Sequence, residues 1–216
     1  MMNTTQCDGA TRRIAVIGVG HMAYALGALW ATRGHAITIG GRSIDKARSM
    51  AVQIGRGTTA SEMSEAVDGA EVVLIAVPWT AVEDVLLQVG AHAGSLAGAT
   101  IVDPTNPVEH GVGRHLLEAG SAAERIASRA PGAHVVKAFN VHPASYWSQA
   151  DTRDVVTLAG SDPGALDVVS ELVRDVGATP HTLGGLDRSR QLEELGATVI
   201  ALAFAGIEPR SAVPRV

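Results

Sequence analysis

Ile14-Ala15-Val16-Ile17-Gly18-Val19-Gly20-His21-Met22-Ala23 decides how the rest of the chain is read. A short apolar run predicts a buried strand, which breaks into the spacing G-x-G-x-x-A and passes at once into helical periodicity. Gly18 permits a tight turn, Gly20 lets a pyrophosphate approach the backbone, and the small Ala23 lets the helix pack closely on the strand. The start of that helix offers free N–H groups and a partial positive charge, both suited to phosphate. The stretch predicts a dinucleotide-binding α/β unit; a turn that needs glycine for packing alone is the plainer alternative.

The nucleotide is selected at the end of the next strand. Ala36-Ile37-Thr38-Ile39 predicts strand two, and an NAD site would place Asp or Glu just beyond it for the ribose 2′-hydroxyl. This chain reads Gly40-Gly41-Arg42-Ser43 there, with Lys46 one helical turn later. No carboxylate stands in place to repel a 2′-phosphate, whereas Arg42 offers a planar fork and Ser43 a hydroxyl. The pattern points to NADP(H); the alternative is a solvated helix start.

Working outward, 216 residues suffice for one domain with a sizeable core, or one large domain with a small appendage. A composition of 46% hydrophobic and 3% aromatic residues with 24 glycines fits a compact α/β protein rich in tight turns. The formal net charge of −5 argues against nucleic acid or an anionic membrane as the main partner. Cys7 is the single cysteine, which excludes disulfides and thiolate metal clusters within one chain. Residues 1–11 are polar and lack the apolar core of a signal peptide, and the longest apolar stretch, 197–207, is about half of a membrane span. The expectation is a cytoplasmic protein with no membrane contact.

Residues 1–11 are expected to form a flexible tail. Residues 12–150 predict a Rossmann-type domain with a doubly wound parallel sheet. Residues 151–216 predict a small C-terminal α+β extension that helps to form the substrate cleft and offers a dimer interface. Along the chain, helices are predicted at 23–33 and 43–54, and Thr58-Thr59 as a short third strand. Ser61 is read as the N-cap of the next helix, the unbroken apolar run 72–77 as a strand buried on both faces, and 79–90 as a helix. Strand five is 100–103, and the Gly-rich stretch 108–120 is read as a loop near the ligand. Ser121 and Glu124 have capping-box spacing for a helix that ends before Pro131, and 134–139 is strand six. A strand at 154–159, a helix striped by Leu166, Val169, Leu172, Val173 and Val176, and a strand at 179–183 follow. Asp187 is read as the cap of a last helix that is apolar all round, with Leu192, Leu195, Val199 and Leu202 on one side and Ile200 and Phe204 on another. Such a helix must be buried, in its own core or against a second subunit, and a homodimer is expected.

Ligands in open α/β sheets lie across the carboxyl ends of the strands. Val77-Pro78-Trp79, Asp103-Pro104-Thr105-Asn106-Pro107 and Asn140-Val141-His142-Pro143-Ala144 are therefore the candidate segments. Trp79 is read as a wall of the nicotinamide or as a helix-start residue, and Asp103 as the cap of its own loop. His142 is read as a donor to substrate or as a structural loop residue. Lys137 is read as an exposed strand-end lysine, with an acid/base role as the alternative. The eight histidines show no H-E-x-x-H spacing, so no metal site is expected, and no G-x-S-x-G elbow is present.

Gly18 to Ala23, Gly41-Arg42-Ser43 with Lys46, Val77-Pro78-Trp79, Lys137-Ala138-Phe139-Asn140-Val141-His142-Pro143-Ala144, Ala159-Gly160-Ser161-Asp162 and the run from Gly185 to Glu193 together resemble the NADPH-dependent deazaflavin reductases, also called F420H2:NADP oxidoreductases. The resemblance extends in order from about residue 12 to the C-terminus. It implies hydride transfer between nicotinamide C4 of NADP(H) and C5 of a deazaflavin, coenzyme F420, held ring against ring in one cleft. Both ring systems carry that chemistry themselves, so alignment and exclusion of water matter more than a side-chain acid. By matching position, the resemblance puts Val19, Gly20, His21 and Met22 at the pyrophosphate, Arg42 and Lys46 at the 2′-phosphate, and Trp79 and Ala144 at the nicotinamide end. Asn140 and His142 would face the second ring, where archaeal members of the family carry His and an aliphatic residue respectively; they carry Ser where Gly41 stands. Two other readings remain: an NADPH-dependent reductase of a small imine, carbonyl, alkene or flavin, with a proton from His142 or Lys137, and a non-catalytic NADPH-binding protein.

Overall fold

A computed structural model describes residues 10–148 and 154–212. Residues 1–9 of the expected tail, with Cys7, lie outside the described residues. Eight strands, β1 (Arg13–Ile17), β2 (Ala36–Gly40), β3 (Thr59–Ser61), β4 (Val72–Ile75), β5 (Thr100–Asp103), β6 (His134–Lys137), β7 (Val155–Gly160) and β8 (Thr179–Gly184), form one sheet. Its order is β3-β2-β1-β4-β5-β6-β7-β8. The first six strands are parallel in the doubly wound order 3-2-1-4-5-6, as the sequence predicts. Among the described residues seven α-helices flank the sheet: α1 (His21–Thr32), α2 (Ile44–Ile54), α3 (Met63–Ala66), α4 (Val82–Gln88), α5 (Ala122–Arg129), α6 (Pro163–Asp175) and α7 (Ser189–Phe204).

The continuous apolar strands arise because both faces are covered. Ile14, Val16, Val72 and Leu74 join the core under α1, α2 and α6. Their neighbours Ala15, Ile17, Val73 and Ile75 join a second core under α3, α4 and α5. Caps fix several helix starts: Ser43 accepts the Lys46 N–H at 3.4 Å, Ser121 the Glu124 N–H at 3.1 Å and Asp162 the Ala165 N–H at 2.8 Å. Each such cap stabilises by about 1 kcal/mol. Ser121 also donates its hydroxyl to the Glu124 carboxylate at 2.9 Å, so Glu124 meets the cap through the side chain and not through the backbone N–H of a capping box.

Several boundaries differ from the sequence expectations. Ser61 ends β3 instead of capping a helix, and α3 starts two residues later with no side-chain cap. β4 stops at Ile75, and a 3-10 turn at Trp79–Ala81 precedes α4. β6 stops at Lys137 because Phe139 takes φ +62°, a left-handed conformation that ends strand pairing. Asp187 sits in a 3-10 turn before α7, and no side chain caps that helix. The stretch 108–120 folds back on itself through an antiparallel bridge between Val108 and His115. Gly113 then lies so close to α7 that a Cβ there would meet the Ala197 carbonyl at 2.3 Å. The last helix is not buried all round: Leu192, Glu193, Gly196 and Ala197 face inward, while Leu195 is 42% and Phe204 59% exposed.

β7 runs antiparallel to β6 and pairs with it only through Ala159 and Gly160. The earlier residues of β7 therefore overhang the carboxyl edge of the parallel sheet, with β8 beside them in parallel register. This overhang places Asp154 to Thr157 against the segment from Phe139 to His142.

Candidate active site

The turn after β1 is built as its glycines suggest. Gly18 has φ +131°, and a Cβ on it would meet the Ala76 carbonyl oxygen at 2.2 Å, so no other residue fits between β1 and the end of β4. A Cβ on Gly20 would stand in open space, in the volume a pyrophosphate needs. Gly20 is the N-cap of α1, no acidic residue occupies the first turn, and no side chain caps the N–H groups at the helix start. This donor set fits a dinucleotide pyrophosphate.

A cavity of about 300 Å³ opens there. Gly18, Val19 and Gly20 form one side of it, Gly41, Arg42, Ser43 and Lys46 the second, and Val77 and Pro78 the third. Eight of the sequence-derived nucleotide residues are thus brought together, joined by Gly41. Met63, Ala81 and Val85 complete an apolar wall that sequence reasoning missed; their only signal is that they follow strand ends. Arg42 and Lys46 are exposed and have no ion-pair partner among the described residues, and the only acid nearby in sequence, Asp45, pairs with Arg48 at 3.7 Å. Ser43 keeps its hydroxyl hydrogen after accepting from Lys46 N–H.

The remaining candidates divide among neighbouring features. Met22, in the first turn of α1, lines a second cavity of about 780 Å³ together with Asn140 and His142. α7 supplies its apolar roof through Val199, Ile200, Ala203 and Phe204. His21 and Ala144 share a shallow depression with Tyr24 and Pro143. Ala23 is buried on the inner face of α1. Trp79 lines a groove between α4 and α5 with Arg125 and Arg129, apart from both cavities.

At the rim of the larger cavity, His142 stacks on Tyr146 with ring centres 4.6 Å apart and meets the edge of buried Trp147 at 5.4 Å. Burial holds the His142 pKa below its ordinary value, against the opposing pull of Asp154, whose carboxylate lies 3.9 Å from Nε2; the Arg210 cation also lowers it. Arg210 itself pairs with Asp154. The imidazole is therefore neutral at pH 7. Tyr146 is raised by its own burial and by the same Asp154 carboxylate.

Behind the cavity stands a charged cluster that corrects the reading of Lys137. Lys137 is fully buried, not an exposed strand end. Its ammonium meets Asp103 Oδ2 at 2.6 Å, Glu193 Oε1 at 2.7 Å and the Thr105 carbonyl at 2.7 Å. Asp103 does cap its loop, accepting from Thr105 N–H at 2.8 Å and Oγ1 at 2.7 Å. Glu193 also accepts from Ala122 N–H at 2.9 Å, at the start of α5, and lies 3.0 Å from His115 Nε2. Held between two buried carboxylates and one carbonyl, Lys137 is the centre of a brace that fixes α7 over the strand ends.

Known proteins fit this geometry. Residues 13–107 match the model of a family described as NADP oxidoreductase, coenzyme F420-dependent. The metalloreductase STEAP3 of Rattus norvegicus is 31% identical over 187 residues, 85% of this chain; the chain spans only 36% of that relative's length. Among solved structures, a protein of Arthrobacter sp. FB24, named as a candidate F420-dependent NADP reductase, has 26% identity and a TM-score of 0.77 over 92% of this chain and 96% of its own. The protein SMa0349 of Sinorhizobium meliloti has 28% identity and a TM-score of 0.76 over 89% and 94% of the two chains. A reductive aminase from Aspergillus terreus, 23% identical with a TM-score of 0.67 over 91% and 64%, shares the fold. No helix among the described residues is long and apolar enough to cross a membrane. Residues 13–107 are thus similar to the family of NADP oxidoreductases described as coenzyme F420-dependent, and the fold is shared over most of the chain with the Arthrobacter and Sinorhizobium proteins.

Proposed function

We propose that the chain is an NADPH-dependent reductase that passes a hydride between nicotinamide C4 and C5 of a deazaflavin of the coenzyme F420 type. The observation that carries this reading is the adjacency of two cavities at the first turn of α1. Gly20 lines a cradle with unpaired cations, and Met22 lines a larger, mostly apolar chamber. NADPH supplies the hydride, and the oxidised deazaflavin takes it at C5 with one proton from solvent at N1.

The protein's part is binding, orientation and exclusion of water. Arg42, Ser43 and Lys46 hold the 2′-phosphate, and the Gly18–Gly20 turn with the N–H groups of His21 and Met22 holds the pyrophosphate. Val77 and Pro78 wall the nucleotide; the family resemblance assigns Trp79 and Ala144 to the nicotinamide end, whereas Trp79 lies in the groove between α4 and α5 and Ala144 in the depression beside His21. Asn140 and His142 face the acceptor ring, and the α7 roof keeps water from the ring-to-ring contact. No proton has to pass through His142, so its neutral state suits a packing and hydrogen-bonding role. The exposed apolar half of α7 is the face on which a second copy of the chain would pack.

The test is direct. The protein is mixed with NADPH and oxidised deazaflavin, then with oxidised flavin mononucleotide, and nicotinamide absorbance is followed. Loss with the deazaflavin alone supports the reading, whereas tight NADPH binding with no transfer to either acceptor overturns it.

A second reading, reduction of a small imine, carbonyl or alkene, draws on His142, which lines the chamber together with Tyr146, Glu208 and Arg210. It predicts oxidation of NADPH by a cyclic imine, and a rate that falls when His142 is replaced.

A further inference from the structure

Asn106 and Asn140 stand side by side at the floor of the larger cavity, and the protein fixes which atom of each carboxamide is which. Asn140 Nδ2 lies 2.8 Å from the backbone carbonyl of Leu192, and only a donor can sit there. Its other hydrogen goes to Asn106 Oδ1 at 2.9 Å. Asn106 Nδ2 in turn donates to the backbone carbonyl of Asn140 at 2.7 Å, which fixes the second amide as well. The donors of Asn140 are thereby spent, and no described group donates to its Oδ1. Asn106 keeps one Nδ2 hydrogen.

Two further features hold this pair in place. Phe139 in the left-handed region, at φ +62°, turns the chain at the end of β6 so that Asn140 reaches α7. Gly196 lets α7 lie against Asn106, since a Cβ there would stand 2.8 Å from both the Nδ2 and the Oδ1 atoms. A backbone held in a costly conformation beside a helix that must carry glycine is the signature of an oriented polar group.

We infer that Asn140 and Asn106 form a specificity-determining pair that reads an amide edge, an N–H beside a C=O, on a planar ring in the acceptor chamber. Asn140 Oδ1 accepts from the ring N–H and Asn106 Nδ2–H donates to the adjacent carbonyl. The inference deepens the deazaflavin reading and rests on it for the assignment of the chamber. It names the part of the substrate that is recognised: the imide edge of a pyrimidinedione ring, which a simple ketone, imine or alkene lacks. A site built around a hydrogen bond rejects the analogue without it strongly, because a buried polar atom is then left unpaired.

The experiment uses the protein saturated with NADP+ and two probes, 5-deazariboflavin and its 3-methyl derivative, with binding read from quenching of probe fluorescence. Methylation at N3 is expected to raise Kd by about 10- to 100-fold, the range of one hydrogen bond into a desolvated site. In Asn140→Ala that gap shrinks to about twofold, because the acceptor is gone and the methyl group has room. Equal binding of the two probes by the natural protein overturns the inference, as does an unchanged gap in Asn140→Ala. NADPH oxidation is followed in parallel with each probe. Selective binding without oxidation supports the amide-edge pair and removes the hydride-transfer reading, whereas oxidation of both probes with equal affinity does the reverse. Binding of neither probe overturns both.

Discussion

Arg42 and His142 show what single residues decide. Arg42 is exposed and lines the nucleotide cradle without an acidic partner, so its charge is available to a phosphate. Replacing Arg42 with Ala is expected to weaken NADPH by about 10- to 100-fold, the value of one or two charge-assisted hydrogen bonds, and NADH by no more than about twofold. Fluorescence titration with both nucleotides checks this, and equal losses would remove the basis for NADP selectivity. His142 carries a pH dependence. Its pKa is lowered in the folded state by burial, so as pH falls below 6.5 the unfolded chain takes up the proton first and stability drops. The loss is complete below the depressed folded value, and above pH 6.5 the group makes no difference. His142→Gln should therefore gain on the natural protein in urea unfolding at pH 5 relative to pH 8. These roles differ in how far they were readable from sequence. The residues proposed for the phosphates fall in two short runs, 18–22 and 42–46, and announce their chemistry locally, whereas nothing near Lys137 in sequence marks it as buried, because its partners Asp103 and Glu193 arrive from β5 and α7.

At the scale of elements, helix periodicity and strand runs were legible because burial on two faces leaves so clear a pattern in β1, β4 and β5. The ends were less so: Phe139 takes the left-handed region that its side chain disfavours, and Ser61 pairs with Gly40 as the last residue of β3 although its type suits a cap. Nothing in the sequence marks Gly113 and Gly196 apart from the other glycines, yet both exist to let α7 come close. The attachment of α7 is electrostatic at its centre. Lys137→Met strands two carboxylates in a dry interior and is expected to cost about 3–5 kcal/mol in urea unfolding. Gly113→Ala, at φ +76° and facing the Ala197 carbonyl, would push the strap of residues 108–115 off the helix. The expected outcome is a loss of about 1–3 kcal/mol and a raised KM for the acceptor, while the Kd for NADPH stays as it was. A fall in nucleotide affinity of similar size would show that the strap serves the cradle instead.

For the whole molecule, the doubly wound order followed from the glycine turn and the alternation of strands with helices, but the reversal of β7 did not. A short strand reads the same in either direction, and the deciding information is how α6 and α7 pack. The exposed apolar surface of Leu195, Phe204 and Ile207 fits the proposal of a homodimer. Phe204→Glu is expected to convert a dimer to a monomer in sedimentation velocity with little change in melting temperature, and an unchanged sedimentation coefficient would remove α7 as the contact. The overhang of β7 has a consequence for how such a scaffold can diversify. Its leading end, backed by β8, rises beside the acceptor chamber, while two rungs fasten its other end to β6 at the carboxyl edge of the parallel strands. Residues inserted or deleted at the leading end would raise or lower that parapet, admitting longer or shorter acceptors, and leave the nucleotide half of the molecule as it stands.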